Sequence, residues 1–222
     1  MEIIAGGVTA ARGFEAAAAE AQIKYKDRKD MALVYSQAPC VTAGTFTTNV
    51  VKAAPVKWDQ EVVYGGEEAR AVVINSGIAN ACTGAEGYGY CKETAAAAAK
   101  ALHIPESSVL VASTGVIGMQ LPIDRIAKGV GLLAESKAST EEAGLEAAKA
   151  IMTTDTKPKY AAVRIRIGDK DVTVGGMCKG SGMIHPNMCT MLSFVTTDAA
   201  ITKELLQKAL SEDVQDTYNM IS

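Results

Sequence analysis

The sequence predicts an α+β protein whose strands and helices pack in layers. Three observations lead there. Short apolar runs of strand length alternate with longer segments of helical composition. One pair of strands is joined by Gly168-Asp169-Lys170-Asp171, a hairpin signal that makes at least part of a sheet antiparallel. No internal repeat, low-complexity linker or composition shift divides the 222 residues, so no domain boundary is visible.

Taken in order, the strand-like segments are 31–35, 70–75, 108–112, 161–167, 172–174 and 191–196. Each is rich in β-branched or apolar residues and bounded by polar or turn-forming ones. In the fourth, Val163, Ile165 and Ile167 alternate with Arg164 and Arg166, the pattern of a half-buried strand. The helix-like segments lie between. Tyr90 to Leu102 contains five consecutive alanines and suits a tightly packed helix. Pro122 to Ala134 starts on a proline, which a first helical turn tolerates. Ser139 to Met152 opens Ser-Thr-Glu-Glu, a capping signal. Ile201 to Asp216 places Leu205, Leu206, Ala209, Leu210 and Val214 on one face.

Composition excludes several function classes. Aromatic residues are 5% of the chain while glycine and alanine abound, so elements should approach closely. The net charge of −3, without a Lys/Arg block, is not the footprint of a nucleic-acid binder. No apolar run is long enough to span a bilayer, and the N-terminus lacks a signal-peptide pattern, so no membrane partner and a cytoplasmic location are expected. The five cysteines form no CxxC pair and read as free thiols rather than a metal site. The order of Gly84, Gly87 and Gly89 is wrong for a dinucleotide fingerprint, and no phosphate-binding GxxxxGK[ST] occurs.

The chemistry concentrates in Lys179-Gly-Ser-Gly-Met-Ile-His-Pro-Asn-Met-Cys-Thr190-Met-Leu192. Two glycines and a proline make a loop, and an apolar strand follows directly, so Thr190 stands at the strand's first residue. A self-processing hydrolase places an N-terminal threonine there. The hydroxyl attacks the preceding carbonyl, an N-to-O shift makes an ester, and hydrolysis frees a new α-amine. That amine, with a pKa of roughly 7.7–8.0, then serves as the base that a weak threonine nucleophile needs. A nearby cation such as Lys179 favours the neutral amine. His185 in the loop and His103 at a helix exit read as structural. After the third strand, Ser113-Thr114-Gly115 reads either as a plain strand-to-helix turn or as donors aimed at an oxyanion. Met152-Thr153-Thr154-Asp155 reads as a polar helix exit.

The run KGSGMIHPNMCTML followed by SFVTTDA resembles the processing segment of the ornithine acetyltransferase/glutamate N-acetyltransferase family. AGGVTAARG at 5–13, AGTFTTN at 43–49 and NSGIANACTG at 75–84 resemble that family too, so the likeness covers essentially the whole chain. It implies a layered αββα sandwich of the self-processing ornithine acetyltransferase/DmpA-like type. It also implies cleavage between Cys189 and Thr190, with residues 1–189 as an α chain and 190–222 as the start of a β chain. Many members have alanine where Cys189 stands. By the same resemblance, Thr190 is the nucleophile, Thr114 and Gly115 form the oxyanion hole, and Thr153 (with Thr154 next in line), Lys179 and Thr190 bind substrate.

The implied reaction moves an acetyl group from N-acetylornithine to glutamate through a Thr190 ester, in arginine biosynthesis. Some members also accept acetyl-CoA as donor. No bound cofactor or metal is implied, and the assembly is an α2β2 heterotetramer. Two rivals remain: an N-terminal-threonine aminopeptidase or amidase, and an inactive truncated fragment. Because the family's β chain continues beyond what is present, the 222-residue chain on its own is expected to lack activity.

Overall fold

Alternating apolar residues along a central strand give it two buried faces, and that sets the layering. In the computed structural model, which describes residues 1–66, 68–182 and 191–221, this strand is β3 (Met31–Cys40). It runs antiparallel to β2 (Phe14–Ala19) on one side and to β4 (Ala69–Ile78) on the other. Beyond β4 lies β5 (Val109–Val116), parallel to it, and the sheet order is β2-β3-β4-β5. The parallel step needs a crossover, supplied by α2 (Glu86–Leu102). Met31 and Leu33 face a helical layer of α1 (Ala54–Gly65), α2 and α3 (Ile123–Ser136), packing with Trp58, Ala95, Ile126 and Leu133. Ala32 and Val34 face the other way, into a second core with Ile74, Ala112 and Met177.

That second core separates the first sheet from another, of order β1-β6-β7-β8, antiparallel throughout. Its strands are β1 (Glu2–Ile4), β6 (Lys159–Ile167), β7 (Lys170–Lys179) and β8 (Leu192–Thr197). The expected hairpin is β6–β7: Ile167 pairs with Lys170 around Gly168, whose φ of +60° suits a two-residue turn. Helix α4 (Glu141–Ala150) packs on the inner face of β2 and β3, with Ala147 and Ala148 fully buried. Thr140 caps it, its hydroxyl accepting from Ala143 N. A turn at Gly7 lies so close to β7 that a Cβ on Gly175 would sit 2.0 Å from the Gly7 carbonyl oxygen.

The α+β layered class is therefore the one expected. Among the described residues, β1, β2 and α1 have no counterpart among the segments the sequence predicts. The Phe-Glu-Ala-Ala-Ala-Ala of β2 has helical propensity, yet it is a strand because its small side chains admit α4 on one face and α3 on the other. The stripe on α5 (Lys203–Asp216) is another difference. Only Val214 is buried, and Leu205 is 57% exposed. The helix is tied sideways instead, by Gln207 bonding to both backbone groups of Gly44 and by Lys203 donating to the Val63 carbonyl. Among the described residues no helix covers the outer face of the second sheet, where Ile3, Ile167 and Val195 are exposed.

Candidate active site

Three chain segments from different layers end at one place. The first is the carboxyl end of β5, carrying Ser113, Thr114 and Gly115. Gly115 is paired with Gly77 on β4. Its φ is +137°, and a Cβ there would lie 2.3 Å from the Gly77 carbonyl carbon and oxygen, so only glycine lets the two strands approach this closely. Asn75 steadies the end of β4 by accepting from Ser113 Oγ (2.6 Å) and donating to the Ile78 carbonyl (2.8 Å). The second segment leaves α4 as Met152-Thr153-Thr154-Asp155. Ser76 Oγ donates to the Ala150 carbonyl (2.7 Å), fixing this exit against β4. The third is the end of β7, Lys179-Gly180.

Lys179 joins the three. Its Nζ donates to Thr153 Oγ1 (2.8 Å) and to Thr114 Oγ1 (3.2 Å). The residue is only 5% exposed. Burial holds its pKa below the ordinary lysine value; the Asp155 charge opposes this, and Lys159 adds to it. A buried ammonium bonded to two neutral hydroxyls, with no ion pair among the described residues, gains from an anion brought beside it. Because Thr114 accepts from the lysine, its own O–H is left to donate elsewhere.

Asp155 sets the frame. Its carboxylate accepts from Lys159 Nζ (2.6 Å), from Gly180 N (2.8 Å) and from Thr153 N (3.3 Å). Burial pushes the carboxyl upward, but the bonds from Lys159, Gly180 and Thr153 together outweigh it and bring the pKa down to about 2. One side chain thus ties the backbone of Thr153, in the exit of α4, to that of Gly180, at the end of β7. Thr153 and Lys179 are expected from the sequence, whereas Asp155 stands there only as a lone acid in a polar helix exit. Thr154, the next candidate, is exposed and bonds to Ser181 Oγ (2.9 Å) rather than to Lys179.

Thr114 (with Gly115 next to it), Thr153 and Lys179, widely spaced in sequence, are therefore neighbours. Thr190, Cys189 and His185 lie outside the described residues. His103 is the left-handed cap of α2, its N–H bonding to the Ala99 carbonyl, which is a structural position. Cys40, Cys82, Cys91 and Cys178 are free thiols. Among the described residues no cluster of His, Cys, Asp or Glu could hold a metal ion. No described helix is long and apolar enough to cross a membrane.

Two sheets face to face, with a helical layer outside the first and a site where a parallel strand pair ends, define the class of fold. It is shared with an L-aminopeptidase D-Ala-esterase/amidase from Ochrobactrum anthropi, described as a variant of the Ntn-hydrolase fold (TM-score 0.56, 12% identity, covering 99% of this chain and 71% of that one). Closer likenesses narrow it. The ArgJ family model matches residues 15–222, and the chain belongs to that family. The arginine biosynthesis bifunctional protein ArgJ of Symbiobacterium thermophilum is 54% identical over 224 residues, covering 100% of this chain and 55% of the relative. A crystal structure of ArgJ from Bacillus halodurans superposes with a TM-score of 0.79 at 40% identity, covering 86% of this chain and 98% of that one. Ornithine acetyltransferase from Mycobacterium tuberculosis, solved with ornithine, gives 0.78 at 44%, covering 86% and 99%. The chain spans about half the length of the curated relatives it matches.

Proposed function

We propose that this chain carries the nucleophile and half of the active site of an acetyltransferase of arginine biosynthesis, one that moves acetyl from N-acetylornithine to glutamate. The observation that carries the reading is Lys179, a buried cation bonded to Thr153 and Thr114, on the strand that leads into the Thr190 segment. Leu192, two residues after Thr190, pairs with Lys179 across β7 and β8. The names of the relatives support the pathway, and the ornithine bound to the Mycobacterium tuberculosis protein supports the substrate class.

The steps follow from ordinary acyl-transfer chemistry. The Cys189–Thr190 bond is cut, freeing the Thr190 amine. The amine takes the hydroxyl proton as the oxygen attacks the acetyl carbonyl of N-acetylornithine, and an oxyanion forms. Thr114 O–H and Gly115 N–H donate to it. The carbonyl reforms, the C–N bond breaks, and the ornithine amine leaves with the proton. Glutamate's amine then attacks the Thr190 ester and departs as N-acetylglutamate, returning the hydroxyl. Lys179 and Thr153 hold the substrate. No cofactor or metal enters. Acetyl-CoA serves as a second donor through the same ester, in keeping with the word bifunctional in the relatives' names.

Residues 1–189 and those from 190 onward form α and β chains that assemble as an α2β2 heterotetramer in the cytoplasm. Chain lengths support the division. The solved relatives are matched almost end to end by 86% of this chain, which makes them about as long as residues 1–189. Hydrolysis of amides, as in the Ochrobactrum anthropi protein, is the alternative use of this fold. Steady-state kinetics of the full-length protein separate the two. Parallel double-reciprocal lines for N-acetylornithine and glutamate support transfer through an acyl-enzyme. Release of free acetate at the full rate without glutamate contradicts it.

A further inference from the structure

Beside the site, residues 20–30 form an arch over the end of β4. The arch is held from within. Asp30 is fully buried, and its two carboxylate oxygens accept from Ala21 N (2.7 Å) and Ile23 N (2.6 Å). Glu20 accepts from Asp27 N (3.0 Å), and Arg125 donates to the Gln22 carbonyl. Gln22 and Asp27 adopt positive φ of 56° and 61°, which a merely solvated loop of non-glycine residues rarely does. The arch lies close over Gly77, the partner of Gly115: a Cβ at Gly77 would be 3.0 Å from Lys24 Cβ. Arg28 donates to the Met152 carbonyl (2.7 Å), next to Thr153.

Of the cations on this arch, Arg28 is engaged by that carbonyl and Lys29 by Glu146 (2.8 Å). Lys24 is exposed and lies over the Tyr25 ring at 5.0 Å. Lys26 is exposed and has no partner among the described residues. Two exposed lysines, neither of them bonded to a carboxylate among the described residues, thus stand on a braced support next to Gly77, the partner of Gly115. The segment leaving Gly115 on the other side is apolar, with Ile117 62% and Met119 46% exposed. Gly115 is thus flanked by exposed apolar residues along its own chain and by the basic arch across β4.

We propose that this arch binds the phosphates of acetyl-CoA, with Lys24 and Lys26 as the phosphate contacts and Ile117 and Met119 along the pantetheine arm. The proposal rests on the acetyltransferase reading and adds where its thioester donor binds. An acetylated amino acid carries no phosphate for Lys24 and Lys26 to meet. A thioester whose phosphates lie far from its acetyl group spans the Lys179 pocket and the arch.

The test uses the full-length protein with glutamate and three donors: N-acetylornithine, acetyl-CoA and S-acetylpantetheine, which lacks the nucleotide phosphates. The wild-type enzyme should favour acetyl-CoA over S-acetylpantetheine in kcat/KM. The Lys24→Gln/Lys26→Gln variant should lose roughly tenfold with acetyl-CoA, the scale of one or two charge-assisted contacts, and so lose that preference. Turnover of N-acetylornithine reports whether the chemistry survives the substitutions. Added salt should raise the wild-type KM for acetyl-CoA and leave that for S-acetylpantetheine unchanged, a readout that needs no variant. Equal losses with all three donors, an unchanged acetyl-CoA preference, or a wild-type enzyme that does not use acetyl-CoA each overturns the proposal. Failure of N-acetylornithine turnover in the wild-type protein instead overturns the reading beneath it.

Discussion

Replacing Asp155 by Asn removes one charge and keeps an oxygen that can accept from Gly180 N. Its effect can be worked from the structure. The Asp155 carboxyl has its pKa lowered from 3.8 to about 2 by its bonds from Lys159, Gly180 and Thr153. At about 1.4 kcal/mol per pKa unit, the ionised form contributes about 2 kcal/mol to folding near neutral pH. A depressed carboxylate stabilises above its unfolded pKa, so the contribution is full at pH 6 and declines as pH falls from about 4 towards 2; about half remains at pH 3. Asn mimics the protonated acid. Asp155→Asn should therefore lower Tm at pH 6 by roughly 4–8 °C for a unit of this size. Thermal unfolding followed by circular dichroism at pH 6 and pH 3 tests this, with the gap between the two proteins halving at the lower pH. A gap of the same size at both values refutes the electrostatic reasoning, because a purely steric effect of Asn does not titrate.

The remaining predictions concern the site. Thr114→Ala should cut kcat by roughly 10²–10³-fold with little change in Tm, as loss of one oxyanion donor does; a wild-type kcat removes Thr114 from that role. Gly115→Ala, whose new methyl meets the Gly77 carbonyl, should lose both activity and several degrees of Tm, since backbone cannot move aside cheaply. Lys179→Met should raise KM for both amino-acid substrates while leaving Tm unchanged or higher, because a buried cation without a bonded anion costs stability; a large fall in Tm means Lys179 is structural.

The parts of the fold legible in sequence were those where local pattern and tertiary role agree. The alternation in Val163, Ile165 and Ile167 marks β6 as a strand but not its covered face, since Ile167 is exposed while Ala162 on the opposite face is buried. Thr140 marks the start of α4 because capping is local. The alanines of β2 mislead, since their strand conformation is imposed by helices on either side. The α5 stripe misleads in the opposite sense: helical spacing names a face but not what covers it. In the site, Thr114, Thr153 and Lys179 came from a family resemblance. Their convergence on one ammonium was not readable, because it depends on β5, α4 and β7 ending together. Asp155 was missed for the same reason, its meaning resting on a bond to Gly180, twenty-five residues away in the chain. Residues 20–30 carry no sequence motif, and their closeness to Gly77 is a tertiary fact.

The central claim is that Thr190, freed by cleavage, carries the acetyl group. Mass spectrometry of the full-length protein, mixed with N-acetylornithine and quenched before glutamate is added, tests it most directly. The account predicts two chains, the second beginning at Thr190 and heavier by one acetyl group, with the label on the Thr190 oxygen and gone after glutamate addition. It predicts an uncut, unlabelled protein for Thr190→Ala. An active enzyme in which the bond before Thr190 is intact, or in which acetyl appears on another residue, contradicts it.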